Sequence, residues 1–202
     1  SLSLGILIKK NLFWFFTPIF LVFSFFSKQI PSSYLLILFV IVISYYFFIT
    51  KALNKQNFLY LFFGSLFSIL SIIIIFFINE IPVKNFLVQY IFYPFSLGEG
   101  RIDKLNIDFK NSISQFKFIY FSLIPLLISL LFLIKINEKS LIQKKEIIVS
   151  FLFLGSIIIF IYCQLLTKNQ VLIFFLIPIS IAFSHSYANK YFDKKYLIYF
   201  IL

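Results

Sequence analysis

The chain has 202 residues and a formal charge of +11; it is 61% hydrophobic and 12% charged, with a mean hydropathy of +1.02. About a quarter of the residues of a soluble domain are charged, so a soluble globular fold is excluded and an all-α integral membrane protein is expected. The basic residues sit in short links between apolar runs, where topology and anionic headgroups account for them, so no nucleic acid partner is expected.

A bilayer core of about 30 Å takes roughly 20 helical residues to cross, which sets the scale for reading the apolar runs. Residues 1–8 read as the end of a span, closed by Lys9 and Lys10. The first complete run is 11–26, followed by the link SKQIPSS (27–33), whose Pro31 is expected to stop the helix. Residues 34–50 span back, with Lys51 and Lys55 after them, and 58–78 is the cleanest span, without a charge.

It delivers the chain to 79–117, the one long interval with no segment able to cross. That interval holds Glu80, Glu99, Asp103 and Asp108 and the single arginine, Arg101. Inside it, 86–97 (FLVQYIFYPFSL) is apolar but too short to span, which predicts an interfacial or re-entrant helix that Pro94 kinks or ends. Spans at 118–134, 147–166 and 171–187 follow, and 196–202 begins another.

The expected architecture is one transmembrane domain over 1–202, with about six helices, truncated ends and one long outer loop at 79–117. The start at Ser1, the absence of methionine and the stop within an apolar run lead us to expect an internal fragment lacking its amino-terminal part. The links around Lys9, Lys51, 135–146 and 190–195 carry most of the basic residues and fall on one side. The positive-inside rule places them in the cytoplasm and 79–117 outside, in a bacterial inner membrane.

No complete span has a charged residue in its middle, which argues against an ion-coupled transporter. His185 reads as structural or interfacial, and the lone Cys163 as a small core residue; one cysteine forms no intramolecular disulfide and no cysteine-based metal site. Three outer links bring cations together: Lys28, Arg101 and Lys168. LGEGRID (97–103) is expected to be a loop, its glycines freeing the backbone to turn Glu99 and Arg101 toward a site. An apolar half-helix beside cations at headgroup depth suits a lipid-linked phosphate, held by Arg or Lys while its chain stays in the bilayer.

The pattern LLTKNQVLIFFLIP (165–178), with SKQIPSSYLLIL (27–38) and QYIFYPFSLGEGR (89–101), resembles outer links and a late core motif of GT-C type membrane glycosyltransferases. These are the polyprenyl-phosphate-sugar-dependent enzymes related to protein mannosyltransferases and to the aminoarabinose transferase of lipid A. The resemblance implies that Lys168 lies near the donor phosphate and that Pro178 shapes its helix, while Phe174 and Phe175 stand where the family often has tyrosine. It also implies that the general base lies in a first outer loop upstream, which leaves Glu99 as a supporting acid or a loop residue.

The function implied is transfer of a sugar from a polyprenyl-phosphate donor to an extracytoplasmic glycan, lipid or protein acceptor. Arg101, Lys168 and Lys28 would hold the lipid phosphate. The sequence requires no cofactor, although this group admits a divalent metal. The alternatives are a permease or flippase for lipid-linked sugars, a polysaccharide polymerase or ligase, and a structural subunit of a membrane complex.

Overall fold

The computed structural model describes residues 1–8, 10–50, 55–102, 105, 108–135, 140–167 and 173–192; the side chains of residues 49, 50, 98, 99 and 111 fall outside the description. Among the described residues every regular element is helical. Four helices are long and apolar enough to cross a membrane: residues 29–48 within α3 (Gln29–Thr50), α4 (Lys55–Ile78), α7 (Lys117–Lys135) and α8 (Leu141–Thr167). The chain forms two compact units, Ser1–Leu105 and Asn106–Leu202.

In the first unit, α1 (Leu2–Ile8) and α2 (Leu12–Ser27) precede α3 and α4. Asn11 Nδ2 donates to Gln56 Oε1 at 3.1 Å at one end, and Phe26 and Phe76 both pack on Phe86 at the other, so α2 and α4 run parallel. Their closest approach is at Gly64. A Cβ there would land on the carbonyl oxygen of Phe15 and 2.8 Å from Pro18 Cγ, so only glycine lets the two backbones meet.

α4 turns its small residues inward. The buried residues of α4 are Asn57, Gly64 and Ser68, while Phe62, Phe63, Ile69, Ile73 and Phe77 are exposed. Small residues at the helix contact and large apolar ones outside is the pattern of helices that associate in lipid, where apolar burial supplies no drive between them. On the neighbouring helices large side chains are buried as well: Trp14 packs on Tyr46 and Phe47 of α3, with ring centroids 5.5 and 5.8 Å away.

Pro31 does not stop a helix. It lies at the start of α3, and the residue before it, Ile30, is extended (φ −103°, ψ 114°) because proline's ring bars the helical region to its predecessor. Pro94 does not end its helix either. α5 (Val83–Leu87) passes through a π turn (Val88–Phe92) into α6 (Tyr93–Ile102), and the wider turn immediately before Pro94 gives its ring room. The expected loop at 97–103 is therefore helical as far as Ile102, and among the described residues no glycine takes a positive φ.

The second unit holds a π turn (Lys110–Ser114), α7, α8, a 3-10 turn (Ile173–Phe175) and α9 (Leu176–Tyr191). Its core is Phe116, Ile119, Leu123, Leu126, Leu133, Ile157, Ile161, Ile173, Leu176 and Tyr187. Ser184 Oγ donates to Ser122 O at 2.7 Å and Phe132 meets Tyr191, so α7 and α9 run parallel, with α8 reversed between them in sequence. Within each unit successive long helices thus alternate in direction, as repeated crossings demand.

The glycine contacts separate two substitutions. Gly64→Ala should destabilise the first unit by about 2 kcal/mol or more through overpacking. Gly100→Ala meets nothing within 4 Å and should gain up to about 1 kcal/mol from helix propensity. Thermal unfolding of the two variants in one detergent measures both shifts, and they should have opposite signs.

Candidate functional site

The first unit contains a cavity of about 570 Å³ where α2 and α4 meet the run from α5 to the π turn. Val22, Phe23 and Phe26 come from α2, and Ser68, Ser71, Ile72, Ile75 and Phe76 from α4. Pro82, Asn85, Phe86, Gln89 and Tyr90 recur at three- and four-residue intervals, which is one face of a helix. The cavity is lined mostly by apolar side chains, with the hydroxyls of Ser68 and Ser71 among them, and its exposed residues Asn79, Glu80, Asn85 and Gln89 are polar.

Two local devices shape the rim that these exposed residues form. At the end of α4, Ile81 N–H bonds to Phe76 O at 3.0 Å and Glu80 N–H to Phe77 O at 3.4 Å, with Glu80 at φ 50°. This is a Schellman ending in which a glutamate fills the left-handed position that normally takes glycine, and Pro82 follows two residues later. Such a conformation costs a residue with a side chain about 1–2 kcal/mol.

The second device begins at Pro94, which has no N–H to offer the Tyr90 carbonyl four residues back. Gln29 Nε2 donates to that carbonyl at 3.1 Å, and the bond ties the link after α2 to the wall of the cavity. Aromatic rings reinforce the joint. Phe86 stacks on Tyr90 at 5.0 Å and meets Phe76 edge-on at 4.8 Å.

Lys28 caps α2 in an extended conformation and is exposed, two residues after Phe26, which lines the cavity, and one before Gln29, which bonds to the Tyr90 carbonyl. Arg101 is exposed in the last turn of α6, and among the described residues nothing pairs with it. At 1.5 Å per residue it stands roughly 16 Å along the helical run from Tyr90. Lys168 lies outside the described residues, as does the Glu99 side chain. Glu80, counted in the sequence only as one carboxylate of the polar segment, is the acid at the cavity.

The second unit brings together a different set. Glu146, expected in a cytoplasmic link, lies inside α8 with 6% of its surface exposed. It pairs with Lys190, accepts a hydrogen bond from Tyr191 Oη, and its carbonyl accepts one from Tyr187 Oη at 3.3 Å. The spacing KKE before an apolar run gave no sign of burial, because the partners sit more than 40 residues away on α9. His185 is exposed. Among the described residues no three His, Cys, Asp or Glu side chains gather as a metal site.

Two substitutions check these arrangements. Glu80→Gly should raise stability by about 1 kcal/mol by relieving the left-handed strain. Glu146→Ala should lower it by about 2 kcal/mol, since two donors lose their acceptor in a part-buried place. Denaturant or thermal unfolding in detergent reads both. Neither a protein-family model, nor a curated protein, nor a solved structure matches the chain.

Proposed function

We propose that the chain is part of a membrane glycosyltransferase that moves a sugar from a polyprenyl-phosphate donor to an extracytoplasmic acceptor. The observation that carries this reading is the cavity of the first unit. It has a mostly apolar lining fit for a lipid chain, exposed amides and a carboxylate fit for hydroxyl groups, and a lysine two residues beyond Phe26.

The roles follow from the chemistry of each group. The chain of the donor lies along Val22, Phe26, Ile72 and Ile75. Asn85 and Gln89 offer both donors and acceptors to sugar hydroxyls. No described residue lining the cavity is a cation, so the phosphate is assigned to Lys28, two residues beyond Phe26, with Arg101 of the same unit as a further holder. Ionised donors strengthen such bonds, each contributing about 1.5–3 kcal/mol. The general base lies outside this set, and the acceptor is a glycan, lipid or protein. The membrane is the bacterial inner membrane, with 79–117 on its outer side, as the distribution of lysines suggests.

The test is transfer of labelled sugar from polyprenyl-phosphate donors by the full-length gene product in nanodiscs. Lys28→Ala and Arg101→Ala should each lower transfer about tenfold or more, as the loss of one charge-assisted bond predicts. Ile72→Trp, which fills the cavity, should abolish it. Normal transfer by the folded Ile72→Trp and cation variants would reject the site, and a wild type inactive on every donor would reject the reaction.

A further inference from the structure

The serines on the α4 wall of the cavity offer lone pairs and have spent their protons. Ser68 donates its hydroxyl proton to Gly64 O and Ser71 to Phe67 O, both at 2.8 Å, so each oxygen is left to accept. Asn79 turns Nδ2 back onto Ile75 O at 2.8 Å, using one of its two amide protons, and Oδ1 is left to accept. Next to it Glu80, an acceptor only when ionised, is held at the rim by the Schellman ending. Ser68 and Ser71 stand in the carboxyl-terminal half of α4, and Asn79 and Glu80 lie just past its end, where the helix dipole is negative.

Nothing positive balances them. None of the described residues lining the cavity is Lys, Arg or His, and among the described residues no cation pairs with Glu80. An anionic headgroup resting on this wall would meet the serine lone pairs and a carboxylate, while Asn85 and Gln89 on the facing wall offer donors and acceptors alike. An ammonium group has three donors and no acceptor, the complement of this wall.

We propose that the cavity binds an amphiphile whose headgroup carries an ammonium, the ammonium resting on Glu80 and Asn79 and the apolar chain lying along Ile72, Ile75 and Phe26. Lys28 stands outside this set and supplies a separate place for any phosphate on the same molecule. The proposal concerns recognition and holds whether or not the protein transfers sugar.

The experiment titrates the full chain, in a non-ionic maltoside, with a long-chain primary amine, its N-acetyl derivative and an alkyl phosphate of equal length, reading bound ligand by native mass spectrometry. The amine should bind about tenfold or more tighter than either of the others. Glu80→Gln should bring the amine and its N-acetyl derivative to within about twofold, whereas Asp108→Asn, a change at another exposed carboxylate, should leave the preference intact. Should Glu80→Gln fail to fold, Glu80→Gly, which keeps the left-handed turn, is read the same way. Equal binding of the amine and its N-acetyl derivative by wild type would overturn the proposal. So would a preference that survives the loss of Glu80, or one that Asp108→Asn removes as well.

Discussion

The contact at Gly64 sets the geometry of the first unit. Two parallel helices whose backbones meet where Gly64 faces Phe15 and Pro18 cannot also meet a dozen residues further along, because side chains return to the interface. Val22, Phe23 and Phe26 on one helix and Ile72, Ile75 and Phe76 on the other then stand around an opening, and the run that follows α4 covers it from one side. Gly64 is thus remote from the rim yet decides that there is one. Pro18 acts in the same place, since its ring is part of the surface on which the glycine rests.

The cover is held by backbone chemistry that proline created. Pro94 leaves the Tyr90 carbonyl without its usual donor, and in a poorly hydrated site such an orphan costs several kcal/mol. The amide of Gln29 supplies the missing proton, and so a local defect in one helix becomes a tertiary link between two segments 61 residues apart. The serines of α4 show the opposite economy. By donating to the preceding turn they satisfy themselves within their own helix, and what they present to the cavity is acceptor character alone.

Much of the fold was legible because apolar length has one simple meaning in a bilayer. The runs at 58–78 and 118–134 are helices within a few residues of their expected limits, and the alternation of direction within each unit follows from that reading. Proline was the less readable residue. Pro31 read as a helix stop and Pro94 as a kink or an end, yet one lies in the first turn of a helix, where its N–H is not needed, and the other is accommodated by a π turn within a continuing helix. The glycines of LGEGRID promised a flexible loop, whereas the one chain position that adopts a left-handed conformation, among the described residues, is a glutamate. Glu146 was unreadable for a different reason: its burial depends on Lys190, Tyr187 and Tyr191, and no local pattern reports a partner on another helix.

Glu80 also bears on which chemistry the cavity admits. Asn79, one position earlier, is the residue type that tolerates the left-handed region best after glycine, and a Schellman ending shifted back by one residue would have used it. The observed register instead puts the strain on the carboxylate and lets Asn79 close its side chain onto Ile75. Ile81, in the position that follows, then falls where a Schellman ending places its apolar contact, near Phe76, and both residues line the cavity. Moving the turn by one residue would swing Ile81 off that contact and carry Pro82 to a different point of the wall. The apolar packing of the rim therefore fixes the register of the turn, and the register in turn sets a negative charge at the mouth of an otherwise neutral cavity.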